Sequence, residues 1–535
     1  MAIDMTSRAP AYRSSLPPGR DGFFQLVRAE FTKLRSVRRW LIVLAAAGVV
    51  SIALSLLASN SGPGNNQADA ALTGPGGGAV TDRFRYVHQP LTGDGEIIAR
   101  VVSLKGKGPT GPDDGPATVS WAKAGVLIKD DTKPGSPYAA LMATHGHGVR
   151  LQWDFTEDQA GSGSAAAGRW LKLVRKGSTL TGYESADGTS WQRVGEAKVT
   201  GLPRTAQIGL FVASPDRYSL NRAFGTVSEG TGPSLATGVF DQVKLNGSTP
   251  PDSSWSGRLV GQLPTPPAPV GQDERKEGDE QAAEQQMKDL EGSDSRSGGR
   301  ITVTGSGDIA PDTFGGGDNL GQSLAGSWVA LMAFAALGAL FVTSEYKRGM
   351  IRTTLTASPR RGRVLLAKAL VIGGVSFAVA LPATAAGFSW AQARMRDSGW
   401  VPPVYQHFSL NEGAGLRAVL GTAALLALVA VLAMAAGALL RRSAGAVTGV
   451  IVLMLLPLIL GSALPLDLIQ WIFRLTPAAA FSVQQGTPHY EQLERPCMPE
   501  NSCYPLPTYG GLGVLAAWTA IVLALAVWRL RRKDA

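Results

Sequence analysis

The chain has 535 residues, a net charge of +10 and 44% hydrophobic residues, with 65 Gly and 33 Pro. Gly and Pro crowd the middle while Ala/Leu/Val runs fill the beginning and the final third, which excludes one uniform domain. The positive charge gathers beside the apolar runs, which excludes a nucleic-acid footprint as its reason.

Residues 1–20 read as a polar, Pro-containing tail. The first apolar run starts at Trp40, and Leu41 to Leu57 is longer than a secretory leader's apolar core, so no signal peptide is expected. Before it, Phe23, Val27, Phe31 and Leu34 recur at helical spacing while Arg28, Lys33, Arg35 and Arg38 project elsewhere. Residues 1–39 therefore read as a cytoplasmic tail ending in an amphipathic helix in the membrane interface. A plain basic anchor that orients the following span fits these residues equally. Residues 40–58 form the first expected span.

About 265 residues separate this span from the next, so the interval holds a domain of its own. Residues 59–81 read as a Gly/Asn/Ala/Pro linker. From 82 to 247 short alternating runs such as Glu96–Leu104, Lys123–Asp130, Trp170–Gly177 and Ile208–Ser214 alternate with turn residues, the texture of an all-β sandwich. The runs WAKAGVLIKD at Trp121, WLKLVRKGSTLTGYESADGTSWQRVG at Trp170, IGLFVAS and FDQVKLNG are similar to concanavalin-like, laminin-G-like jelly rolls of bacterial extracellular proteins. Many such modules bind glycans, so the resemblance offers Trp121, Trp170 and Trp191 as ligand-face aromatics. The same fold also packs tryptophans at strand edges into its core. His145 and His147 beside Asp130 and Asp131 lack metal-ligand spacing and read as turn residues. Residues 248–325 read as a second linker, Pro-rich at 264–270 and acidic at 273–292, where helix formers lack an apolar face and imply a solvated helix or disorder.

Residues 326–535 hold five further apolar runs: Trp328–Val342, Leu365–Trp390, about Leu416–Leu440, Gly445–Leu464 and about Gly511–Trp528. The segments 1–39, 344–368, 441–442 and 529–535 carry 21 of the 51 Lys and Arg but only 5 of the 41 acids. One assignment places all four inside: six spans, both termini cytoplasmic and the β domain extracellular. Glu345, Lys368 and Arg417 lie near span ends, where long side chains reach the interface. The loop 465–510 falls outside, with an interfacial or re-entrant piece between Pro465 and Pro477. Cys497 and Cys503 sit in that loop, where a disulfide persists; a bond is expected, and two free thiols are the alternative.

The loop between the second and third spans carries Glu345, Gly349, Arg352, Pro359, Arg360, Arg361 and Arg363, then Ala367-Lys368. This order resembles the first cytoplasmic loop of type-2 ABC transporter permeases. The resemblance implies a coupling helix over 344–363 that docks on a separate cytoplasmic ATPase, which holds ATP and Mg. It also implies a partnering role for the helix at Phe23–Arg39, and two sets of six spans, as homodimer or heterodimer. A loop that only sets topology is the other reading.

No GxxxxGK[ST] loop, nucleophile elbow or HExxH pair occurs in the chain, so no catalytic or cofactor site is expected in it. Ala, Gly, Ser, Thr, Phe and Trp in the spans suit an apolar or amphiphilic substrate. The reading is a plasma-membrane ABC exporter permease with an inserted jelly roll and no nucleic-acid partner. The alternative is a membrane-anchored receptor or sensor for a glycan or cell-envelope ligand.

Overall fold

The computed structural model describes residues 22–60, 71–107, 118–163, 168–223, 226–250, 254–263, 277–312, 319–347, 349–350, 360–411, 413–486, 490–494, 497 and 503–532. The chain begins with α1 (Phe23–Ser36) and α2 (Arg38–Ala58) and then enters a β domain. This domain comprises β1 (Val80–Asp82), β2 (Phe84–Lys107), β3 (Lys123–Lys129), β4 (Tyr138–Thr144), β5 (Val149–Trp153), β6 (Glu157–Ala160), β7 (Arg169–Lys176), β8 (Thr179–Ser185) and β9 (Gln192–Lys198). It continues through β10 (Thr205–Ala213), β11 (Arg217–Ala223), β12 (Thr226–Gly232), β13 (Leu235–Ser248), β14 (Ser256–Val260), α3 (Glu277–Glu291), β15 (Ser293–Ser297), β16 (Arg300–Ser306) and β17 (Ile309–Pro311). The short α4 (Asn319–Ser323) leads into a bundle of α5 (Ser327–Lys347), α6 (Arg361–Asp397), α7 (Gly413–Leu440), α8 (Ser443–Leu460), α9 (Leu466–Leu475) and α10 (Gly510–Arg532).

The β domain is a sandwich built on β2. The first half of β2 pairs with β10 and β14, and its second half pairs with β13 and β7. The change of partners falls at Gly93, whose φ of +78° is open to glycine, and at Gly95, where a Cβ would lie 2.7 Å from Asn246 O. One layer therefore runs β14-β2-β10-β3-β4-β5-β6 and the other β15-β16-β13-β2-β7-β8-β9, all antiparallel. Val87, Leu91, Val126, Leu141, Leu173 and Leu210 belong to the apolar core they share.

Strands β3 and β4 are buried along their whole length, because a second core lies on the far side of their layer. There the ribbon of β1 paired with β17 brings the two ends of the domain together. Each ribbon strand, or the residue beside it, gives a carboxylate to a lysine in β3. Lys129 Nζ lies 2.8 Å from Asp82, and Lys123 Nζ lies 2.5 Å from Asp308. Lys129 is buried, so its charge is tolerable only because Asp82 and the Ser136 carbonyl meet it.

The expectation of a linker over 248–325 is corrected here. β14 extends one layer, β15 and β16 extend the other, and Leu290 of α3 is buried while its carbonyl accepts a bond from Ser306 Oγ. The sandwich thus continues from Val80 to Pro311. Ile301 and Val303 alternate with polar residues, and Gly298-Gly299, at φ +57° and +74°, make the tight turn of a hairpin. The Gly, Ser and Asp content that resembled a linker is turn and edge chemistry. The Pro-rich stretch 264–270 lies outside the described residues.

Among the described residues five helices are long and apolar enough to cross a membrane: α5, α6, α7, α8 and α10. α2 contributes a shorter apolar run, Ile42–Ala58. α7 is central, and small residues let its neighbours close on it. A Cβ on Gly338 of α5 would sit 2.0 Å from Ala430 O of α7. α9 buries Ile469 and Phe473 and exposes Leu468, Trp471 and Leu475, as an interfacial piece does.

One place where the β domain touches the bundle is the segment between α9 and α10. The Glu494 carboxylate accepts bonds from the backbone N–H groups of Ser120 and Trp121 and from Ser120 Oγ. Gln492 Nε2 donates to the carbonyls of Phe155 and Thr156, each at 3.2 Å. Farther along this segment Cys497 and Cys503 are disulfide-bonded, with Cα atoms 5.0 Å apart.

Candidate functional site at the distal end of the bundle

The end of the bundle farthest from the β domain is where α1, the last turn of α5 and the first turns of α6 converge. α1 turns Val27, Glu30 and Leu34 to the bundle, with Glu30 and Leu34 buried. Phe31 is 46% exposed, so it is not on the packed face expected from the spacing, and Phe24 is also exposed. Arg35 and Arg38 point outward. The carboxylate of Glu30 enters the apolar face because two lysines meet it.

Lys368 Nζ lies 2.6 Å from Glu30 Oε2 and 2.6 Å from Glu345 Oε1. Lys33 Nζ lies 2.8 Å from Glu30 Oε1 and 3.4 Å from Glu345 Oε1. Two carboxylates and two ammonium groups make the cluster neutral, which lets it sit under protein cover. Lys368, at 1% exposure, does not reach to the interface as the sequence suggested; it turns inward, with its Nζ 5.0 Å from the centre of the Phe341 ring. Lys33 stands at the cluster's edge. Burial works to lower its pKa, but Glu30 and then Glu345 outweigh that and hold it above the usual lysine value.

The cluster offers no nucleophile and no general base aimed at a cavity. It can fasten three separate chain segments so that they move together. Glu345 keeps one buried oxygen, Oε2, without a hydrogen bond among the described residues. Nearby, Arg441 lies over the Tyr346 ring at 5.5 Å, and Arg529 Nη1 donates to the Leu439 carbonyl at 2.5 Å. These contacts tie the ends of α5 and α10 to the turn between α7 and α8.

Of the loop residues singled out in the sequence, Glu345 belongs to this cluster and Gly349 follows α5 with φ +68°. Arg360, Arg361 and Arg363 lie apart from it, around a cavity they share with Arg531. Arg352 and Pro359 fall outside the described residues. Glu30 was missed by sequence reasoning. Its signal was an acid three residues after Val27 and four before Leu34, on the apolar stripe of a basic helix.

The three tryptophans do not converge on one face. Trp121 is buried, stacked at 4.0 Å on His147, with its backbone held by Glu494, so it is not open to a ligand. Trp170 lies beside the Arg100 guanidinium and Trp191 under Lys172 Nζ at 4.4 Å. Among the described residues no group of three His, Cys, Asp or Glu could hold a metal ion.

Residues 300–528 match the family model described as ABC-2 family transporter protein. The match begins in β16 and spans the five membrane-capable helices, and it supports an ABC-type permease role for a multi-pass membrane protein. α1, α2 and the strands before β16 lie outside it. No curated protein matches the chain. One similar solved structure is a functionally unknown protein from Saccharomyces cerevisiae, 15% identical, covering 30% of this chain and 72% of that one at a TM-score of 0.19. That likeness carries no argument about fold or function.

Proposed function

We propose that the chain is the membrane permease subunit of an ABC-type exporter, moving an apolar or amphiphilic substrate with energy from a separate ATPase. The observation that carries this reading is the cluster of Glu30, Lys33, Glu345 and Lys368. It joins α1 to the loop 344–363, the two segments whose sequences resemble the ATPase-facing parts of type-2 permeases, and the family match over 300–528 supports the same role.

In this reading α2 joins the five long helices as a sixth span, the distal end faces the cytoplasm with both termini, and the β domain stands outside. The ATPase, holding ATP and Mg, docks against α1 and the loop. Closure of the ATPase pushes on both at once. Because the buried charges fix α1 to α5 and α6, the push turns those helices as one body and alternates access to the substrate path. A second permease copy completes the path. Trp121 is covered, which removes one support for the receptor reading.

The test is purification of the intact chain from its native membrane in mild detergent, with identification of co-purifying proteins. A Walker-motif ATPase in stoichiometric amount supports the proposal. Recovery of glycan or cell-wall material with no ATPase contradicts it.

A further inference from the structure

Arg360, Arg361 and Arg363 at the start of α6 and Arg531 near the end of α10 line a cavity of about 370 Å³. The two helices are close here because residue 362 is glycine. A Cβ there would lie 3.1 Å from Arg531 Nη2 and 3.3 Å from Val527 Cγ1. Arg361 Nη1 donates to the Leu530 carbonyl at 3.1 Å, which ties the same two ends together. Arg360, Arg363 and Arg531 have exposed side chains, and none pairs with a carboxylate among the described residues. Like charges gathered without counter-charge raise the local positive potential and favour an anion.

The surroundings name the kind of anion. Leu366 and Leu370 follow Gly362 at intervals of four along one stripe of α6, and they are 47% and 57% exposed. On α10, Leu525 and Trp528 are 46% and 53% exposed, and Arg532 lies over the Trp528 ring at 4.3 Å. A cationic cavity followed by the exposed Leu366 and Leu370, an apolar lane along one stripe of a membrane-capable helix, matches an amphiphile with an anionic head and hydrocarbon tails. A soluble anion would have no use for the lane.

We propose that this cavity holds the phosphate of an anionic phospholipid from the adjoining leaflet, with its acyl chains along Leu366 and Leu370. Guanidinium groups suit phosphate oxygens because their N–H donors form a planar fork. The lipid would bridge the start of α6 and the end of α10, meeting Arg360, Arg363 and Arg531, which have no carboxylate partner among the described residues. This inference requires neither the ATPase nor any particular cargo.

The test uses the full chain in nonionic detergent, titrated with phosphatidylglycerol or with phosphatidylcholine of the same acyl chains, and read by native mass spectrometry. Phosphatidylglycerol should bind at least about tenfold more tightly, and R360Q/R363Q/R531Q should weaken it about a hundredfold at low salt while leaving phosphatidylcholine unchanged. R363Q alone, at an exposed position that disturbs no packing, should cost about fivefold. Equal binding of the two lipids would overturn the proposal, as would unchanged phosphatidylglycerol binding in the triple variant. Displacement of the lipid by an equal concentration of inorganic phosphate would also overturn it, assigning the cavity to a soluble anion.

Discussion

Glu30 and Lys368 stand 338 positions apart in the chain and meet at 2.6 Å beneath the protein surface. Every residue of the β domain lies between them in sequence, yet the contact is at the opposite end of the bundle. The first helix of the chain is thereby fixed to the re-entry point of α6 whatever the inserted domain does.

Replacing Lys368 with Met leaves Glu30 and Glu345 buried with only the half-exposed Lys33 between them. The expected loss is about 3–5 kcal/mol of stability, seen as a lower unfolding temperature in detergent. E30Q/E345Q/K368M removes the uncompensated charges and should regain most of it. Equal losses in the two variants would mean that the charges are not coupled. Lys33, at 43% side-chain exposure, should matter far less, about 1 kcal/mol or under.

The pair of Lys129 and Asp82 governs closure of the β domain on its own ribbon. Burial raises the pKa of Asp82 even with Lys129 beside it, so the carboxylate depends on that partner and on the Gly135 N–H at 2.7 Å. K129M should therefore destabilise the domain by about 3–5 kcal/mol. D82N/K129M should be milder than K129M alone, and thermal unfolding followed by circular dichroism separates the two.

Glu494 gives the β domain its hold on the segment before α10. E494A should speed hydrogen exchange at the amides of Ser120 and Trp121 by about ten- to a hundredfold, since bonds to a charged acceptor are worth about 1.5–3 kcal/mol. Amides in the middle of β10 should be unchanged. Protection at Ser120 and Trp121 that survives the substitution would show that the β domain is held elsewhere.

His88 sets a pH dependence. Burial lowers its pKa, opposed by the bond between Nδ1 and Gln207 Oε1 at 2.8 Å, and Arg258 lowers it further. The unfolded chain takes up a proton near the ordinary histidine value, about 6.5, where the folded protein does not. Stability should therefore fall as pH drops below that value and level off beneath the lowered folded pKa. Thermal unfolding of H88F from pH 7.5 to 5 should show a flatter profile than the unaltered chain.

The long helices were legible because a run of about 20 apolar residues has few other uses. β3, β7 and β10 were legible as short apolar runs between turn residues, but β4, β11 and β12 were not picked out, and neither were β14 to β17, because edge strands rich in Gly, Ser and Asp look like linkers until paired. β2 was visible only as the fragment Glu96–Leu104, since its paired length of 24 residues depends on partners from β7, β10, β13 and β14. The distal cluster was half visible. Glu345 and Lys368 both stood in the stretch that resembles the permease loop and both read as side chains reaching for the interface, whereas Glu30 was not singled out on its charged helix. Periodicity reports which face is buried, but the burial of an acid depends on a cation 338 positions away.

The central claim is that an ATPase docks where α1 and the loop 344–363 meet. A photo-crosslinking residue placed at Arg352 in the full chain, expressed in its native membrane, tests it most directly. The account predicts a crosslink to a Walker-motif ATPase from position 352 and none from His145, an exposed position in the β domain. An ATPase captured from His145, or none captured from position 352 while the chain still transports, would contradict it.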